Sequence, residues 1–160
     1  MAFGLDIRIK FPAALKGRDK LIEKEISRAH RESASILARR MKSEIRDAGA
    51  VATGNLINSV RSRFERTGAR AVFDVGSPLP YAYYVEFGRQ PGRMPPTDAI
   101  LKWMEVKGLD TSRGAYAVAL HISKFGIKGR FVFKHAVQKA LPFVKEAFNR
   151  AVLRLAGRIA

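Results

Sequence analysis

The sequence predicts an α+β fold in which a small antiparallel sheet packs against a long N-terminal helix and a C-terminal amphipathic helix. Apolar residues recur at every third or fourth position over 19–48 and again over 131–160, the period of helices with one buried face. Between them, two runs of β-forming residues at 60–65 and 69–76 flank a Thr-Gly turn, a pattern typical of a hairpin. Helices enclosing a sheet are one of the few layered architectures that bury a core.

The first long helix is predicted from Asp19 to Ala48, with Asp19 as N-cap and Gly49 as C-cap. About 30 residues at 1.5 Å each make a rod of roughly 45 Å. Because this length exceeds the span of a small domain, we expect part of the helix to project or to pack against another subunit. Before it, apolar and polar residues alternate over Leu5–Phe11, which predicts a strand with one buried face.

Shorter elements are predicted from turn residues. A turn is expected at 53–58, and helices are expected over 97–107 and 112–124. Tyr81–Gly88 predicts a helical turn that groups Tyr81, Tyr84 and Val85 on one face, ends at Gly88 and directs Glu86 elsewhere. There the Glu86 carboxylate could accept backbone N–H bonds or pair with an arginine. In the last helix Pro142 either introduces a kink or opens a new helix.

The chain is strongly basic and, at 160 residues, is expected to form one domain over 1–160. Thirty Lys and Arg against fourteen Asp and Glu give a net charge of +16, which implies an acidic partner: nucleic acid, an anionic surface or an acidic protein. The densest stretch, Lys124–Ala160, opposes its basic residues with only Glu146. Four of these cations lie on the helix away from the apolar stripe and are predicted to face DNA or an acidic partner: Lys139, Arg150, Arg154 and Arg158.

The sequence offers little for catalysis. It has no cysteine, and its three histidines lack metal-ligand spacing, so we expect no enzyme activity, no cofactor and no metal. The best alternative is a Mg²⁺-dependent nuclease using Asp74 and Glu86, but Gly88 stands where such sites carry a lysine. No apolar window is long enough for a membrane span and no signal peptide is evident, so we expect a soluble protein used in a cytosol.

Three segments occur in a characteristic order: Thr-Gly-Asn-Leu-Ile-Asn-Ser-Val at 53–60, Tyr-Ala-Tyr-Tyr-Val-Glu-Phe-Gly at 81–88, and Gly-Arg-Phe-Val-Phe-Lys-His-Ala at 129–136. Together they resemble the tail-completion, or head–tail joining, proteins of long-tailed bacteriophages, also described as minor tail or neck proteins. The resemblance runs from about Ile22 to Phe148. The chain departs from the family at Arg89, where a threonine is common, and at 130–133, where Pro-Phe-Leu is common.

The resemblance implies a non-enzymatic virion assembly protein at the head–tail interface, present in the host cytoplasm during assembly. It implies a ring, a hexamer in the finished particle, that contacts tail tube and head connector proteins and surrounds the passing DNA. The 81–89 segment is then either a packing corner or a subunit contact, and the candidate interface residues are Tyr81, Tyr84, Glu86, Gly88 and Arg89. The alternative function is non-specific nucleic-acid binding through the basic surface, because no sequence-reading motif accompanies the charge.

Overall fold

The computed structural model describes residues 4–5, 19–67, 70–111 and 114–158 and confirms the α+β class. In chain order the elements are β1 (Gly4–Leu5), α1 (Asp19–Asp47), α2 (Asn55–Ser59), β2 (Arg61–Thr67), β3 (Arg70–Gly76), α3 (Ala82–Phe87), β4 (Gly88–Arg89), α4 (Thr97–Val106), α5 (Ala115–Phe125), β5 (Ile127–Lys128) and α6 (Val132–Ala156). Leu5 of the first predicted strand lies in β1, and the rest of that strand lies outside the described residues.

The two long helices, α1 and α6, pack against each other in antiparallel directions. Glu44 near the end of α1 pairs with Lys139 near the start of α6, and Glu25 near the start of α1 pairs with Arg154 near the end of α6. Small residues on α6 allow close approach of the two helices; those buried are Ala136, Ala140, Ala147 and Ala151. The core between the helices and the sheet contains Leu37, Met41, Ile45, Val75, Phe133 and Val144.

The expectation that α1 outruns its own domain is wrong. α6 has 25 residues and returns along α1, so the buried stripe of α1 is covered from Ile22 to Ile45 without another subunit. At the far end Ile22 and Ile26 pack with Leu155. A helix longer than the width of a small domain is thus covered by a second helix of nearly the same length, 25 residues against 29.

The helix α6 is continuous through Pro142, so of the two predicted alternatives the opening of a new helix does not occur. The predicted helical period places Val152 on the buried face with Phe148 and Leu155, but Val152 is 45% exposed and the neighbouring Ala151 is buried in its place. A prediction based on large apolar residues alone therefore misses buried alanines, which make up four of the nine buried residues of this helix.

Local signals placed the end of α1 correctly. Gly49 has a φ of 62°, which a glycine adopts without steric cost. Its N–H donates to the Arg46 carbonyl at 2.8 Å, and the Ala50 N–H donates to the Ile45 carbonyl at 3.0 Å. This is a Schellman cap, and it satisfies two of the carbonyls that a helix end leaves unpaired.

The sheet is the predicted hairpin with one added strand. β2 and β3 pair antiparallel from Arg61 opposite Gly76 to Thr67 opposite Arg70, and β1 pairs with the other edge of β3. A second, two-stranded ladder joins β4 to β5. The helices α4 and α5 pack on each other and are inserted between these two short strands, so β4 and β5 form the base of a helical insertion.

Candidate assembly interface

The candidate site is the corner around α3, where the chain leaves the sheet and meets the start of α6. A buried serine sets the direction of entry: the Ser77 hydroxyl accepts the Leu79 N–H at 3.1 Å and lies 2.7 Å from the Ser59 hydroxyl. Ser59 also bonds to the Leu56 carbonyl at 2.8 Å. α2 and the approach to α3 are thereby joined before the helical turn begins.

Glu86 is the central residue of this corner. Its side chain is only 2% exposed, and its two carboxylate oxygens accept the N–H groups of Phe133 at 2.8 Å and Lys134 at 3.0 Å. These are the second and third residues of α6, whose own N-cap residue, Phe131, makes no side-chain cap. Glu86 therefore caps α6 from another element, and its negative charge lies at the positive end of the helix dipole.

Glu86 therefore behaves as the sequence predicted, since it points away from the tyrosine face and accepts backbone N–H bonds. The same bonds occupy the carboxylate that a nuclease would need for a metal. Among the described residues there is no cluster of three or more His, Cys, Asp or Glu side chains suited to holding a metal ion.

Gly88 ends α3 and begins β4 at a place where two backbones touch. Its φ is 78°, and a β-carbon there would lie 2.1 Å from the Ile127 carbonyl oxygen of β5. Gly129 has the reciprocal constraint, because its β-carbon would lie 2.5 Å from the Glu86 carbonyl oxygen. Gly88 and Gly129 belong to two of the three segments that carry the family resemblance. Because neither has a β-carbon, the backbone after α3 can cross close to the backbone before α6.

Backbone hydrogen bonds extend this crossing to the start of α6. The N–H groups of Arg130 and Phe131 donate to the carbonyls of Val85 and Glu86 at 2.9 and 3.1 Å. Phe131 has a φ of 49°, the one positive φ among the described non-glycine residues. Such a conformation is strained for a bulky side chain and persists only where its surroundings hold it.

An exposed aromatic patch covers the outside of this corner, and we define it as Tyr83, Tyr84, Phe87 and Phe131. Each side chain is 40–52% exposed. The ring centroids of Tyr83 lie 5.8 Å from Tyr84 and 5.0 Å from Phe87, and Phe87 lies 6.4 Å from Phe131. The Lys134 amine lies 5.6 Å from the centre of the Phe131 ring. The sequence predicted Tyr84 but missed Tyr83 and Phe87, because it grouped Tyr81, Tyr84 and Val85 on one face of the helical turn. It missed Phe131 because that ring lies 44 positions after Phe87 in the chain.

Tyr81 and Tyr84 also face an open, mainly apolar groove of about 680 Å³ between the corner and the helical insertion. Trp103 and Ile122 form its opposite wall. Burial raises the pKa of Tyr81.

Arg89, the last of the predicted interface residues, lies in β4, and its guanidinium donates to the Arg93 carbonyl of the following loop. Tyr81 and Tyr84 are thus surface groups, whereas Glu86 and Gly88 hold the corner in place.

The predicted basic residues of α6 are placed along the seam with α1. Lys139 pairs with Glu44 at 2.7 Å, and Arg154 pairs with the buried Glu25 at 2.6 Å. Arg150 bridges two carboxylates, those of Glu32 and Glu146. The hydrogen bond from Arg154 lowers the pKa of Glu25, although burial opposes the shift. Arg158 adds to the positive potential at Glu25. Carboxylates of the same chain therefore offset much of this charge.

His30, in the middle of α1, is a core residue. It is 1% exposed, and its ring meets Phe148 edge-on with centroids 4.9 Å apart. Burial lowers its pKa to about 4, so the ring is neutral at physiological pH. Its contribution is to packing in the core.

The fold and this corner define a basic α+β protein whose best-defined surface feature is an exposed aromatic corner bonded to the start of α6. The model of the HK97-gp10-like family, described as "Bacteriophage HK97-gp10, putative tail-component", matches residues 9–88. The match covers half of the chain, so the chain belongs to this family of bacteriophage tail components. Comparisons with curated proteins and with solved structures give no match.

The matched region contains α1, α2, the hairpin and α3, and it ends at Gly88. Family membership gives a structural role in the virion and contact with other virion proteins. The third resemblance segment, 129–136, lies beyond the match, but the structure connects it to the second through Glu86. None of the described helices combines the length and apolarity needed to cross a membrane.

Proposed function

We propose that the protein completes the tail or joins head and tail, as one subunit of a ring at the head–tail interface. The observation that carries the proposal is the exposed aromatic patch, most of which lies within the region matched by the tail-component family. Tyrosine and phenylalanine are enriched at protein interfaces, where large rings supply contact area at low conformational cost. Three solvent-facing rings on one six-residue helix need a partner to bury them.

The corner suits this role because it is already ordered before binding. Glu86, Gly88 and the backbone bonds to α6 fix the orientation of the patch, so little flexibility is lost when a partner docks. The groove beside Tyr81 and Tyr84 offers a second, apolar contact. We propose that these surfaces contact neighbouring subunits in the ring, a hexamer in the particle, and the tail tube and head connector proteins. The role requires binding alone, with no catalytic residue, cofactor or metal.

The test is complementation in the phage or prophage that encodes the chain. Deleting the gene should leave DNA-filled heads and separate tails in electron micrographs. A Tyr83→Ser/Phe87→Ser variant should fail to rescue joining, whereas Tyr116→Ser, which removes an exposed ring of α5 outside the patch, should rescue it. Joined particles from the deletion, or empty heads in place of filled ones, would contradict the proposed function.

A second candidate is non-specific nucleic-acid binding outside any particle, which the net charge of +16 favours. The two candidates separate in the same experiment. A nucleic-acid-binding protein acting elsewhere predicts normal joined particles after deletion and tight, strongly salt-dependent binding of duplex DNA by the purified chain.

A further inference from the structure

The outward face of α1 carries a stripe of seven basic residues with one serine among them, which we call the α1 stripe. Its positions follow one another at steps of 4, 4, 3, 4, 4, 3 and 4 residues. At 100° per residue they fall within an arc of about 100°, and the stripe is about 39 Å long. All are exposed except Lys42, which is partly exposed. The stripe consists of Lys20, Lys24, Arg28, Arg31, Ser35, Arg39, Lys42 and Arg46.

Packing against α6 separates the charges of α1. The helix has eight basic and six acidic residues, so its net charge is only +2. Three of its acids, Glu25, Glu32 and Glu44, turn towards α6 and pair with cations of that helix. None of the ion pairs seen between described residues involves a cation of the α1 stripe.

The arrangement opposes the stability of the helix itself. Like charges three or four residues apart repel on a helix surface, and five neighbouring pairs of the α1 stripe are of this kind. Lys20 and Lys24 also lie near the positive end of the helix dipole. If this face served only to keep the helix in solution, a mixture of positive and negative residues would make the helix more stable. A bound polyanion would remove both penalties.

We propose that the α1 stripe binds the phosphate backbone of double-stranded nucleic acid. The stripe lacks the apolar or aromatic core on which protein–protein interfaces depend, and its one uncharged residue is a small serine. Its length of about 39 Å matches roughly one turn of a duplex, where phosphates outnumber its cations. Because the proposed contacts are made to phosphates, which are the same at every base pair, we expect the binding to be independent of base sequence.

This assignment places the nucleic-acid surface on α1, whereas the cations of α6 serve mainly the seam. It stands on the charge geometry of α1 and applies equally to DNA passing through a ring and to free DNA. It is therefore independent of the head–tail joining role proposed above.

The test compares two variants with the same change in net charge. The stripe variant is Lys24→Gln/Arg28→Gln/Arg31→Gln/Arg39→Gln, in which glutamine preserves helix propensity. The control is Lys102→Gln/Lys124→Gln/Lys128→Gln/Lys145→Gln, which removes four exposed cations elsewhere. Binding to a 40-base-pair duplex is measured by fluorescence anisotropy between 50 and 300 mM KCl. Circular dichroism and thermal melting establish that both variants remain folded.

For the wild type, seven stripe cations give a slope of log K against log [salt] as steep as about −6. The stripe variant should be shallower by about 3.6, and the control should change by less than about 1. Equal losses in both variants would assign binding to overall charge and overturn the proposal, as would the absence of duplex binding. Stripe-dependent binding of poly-L-glutamate without duplex binding would identify an acidic protein as partner and also overturn it. The joining role is judged separately, by the particles formed after gene deletion.

Discussion

Replacing Glu86 tests whether a buried carboxylate of α3 holds the N-terminus of α6. Glu86→Ala leaves the buried N–H group of Phe133 and the partly buried N–H group of Lys134 without an acceptor. An unsatisfied buried amide costs about 1–3 kcal/mol and one that water can reach costs less, so we expect the free energy of unfolding to fall by about 3 kcal/mol. Glu86→Gln keeps one amide oxygen as an acceptor but loses the charge and sets an NH₂ group against a donor. We expect it to lose about 2 kcal/mol.

Urea unfolding, followed by circular dichroism at neutral pH, measures both losses. The matched control is Glu105→Ala, which removes an exposed carboxylate on α4 and should change the free energy of unfolding by less than about 0.5 kcal/mol. If Glu86→Ala stays within 0.5 kcal/mol of the wild type, the carboxylate does not cap α6. The backbone bonds and the glycines alone would then hold α3 against the start of α6.

Two further perturbations test the crossing of the chain and the core. Gly88→Ala should lower the free energy of unfolding by at least about 2 kcal/mol, because its φ is positive and the new β-carbon meets the Ile127 carbonyl. Gly157→Ala, with a φ of −67° and no atom nearer than 3.5 Å, should be neutral or slightly stabilising in the same unfolding assay. Because the pKa of His30 falls from 6.5 to about 4 on folding, the unfolded chain binds the extra proton between these values. Stability should therefore be complete above pH 6.5 and fall by about 2 kcal/mol at pH 5, a loss that His30→Leu should abolish. Equal effects of the two glycine changes, or an unchanged pH slope in the leucine variant, would contradict these accounts.

Local chemistry in the sequence is sufficient to predict most elements. The 3.6-residue period predicted α1 and α6, and the glycines at 49 and 88 marked where two helices stop. These features depend on propensity, caps and periodicity, which act over a few neighbouring residues. The direction of Glu86 was also predictable, because a short helix that turns its tyrosines one way turns its glutamate another.

The tertiary structure decided what each of these groups meets. Glu86 caps a helix 47 residues further along the chain, and the aromatic patch joins α3 to Phe131 by the same long-range contact. Local spacing in the sequence predicts neither of these contacts. The helical insertion separates α3 from α6 in the chain, and its sequence does not determine where α6 begins relative to α3.

For charge, too, the sequence determines one property and the packing of the helices determines another. The sequence determined that this chain is strongly basic, and its composition directed attention to the C-terminal helix as the most positive segment. Only the packing of α6 on α1 shows that the two helices neutralise each other along their seam and leave a row of cations on the outer face of α1. Net charge is a sum over residues, whereas a binding surface depends on which charges are paired across elements distant in the chain.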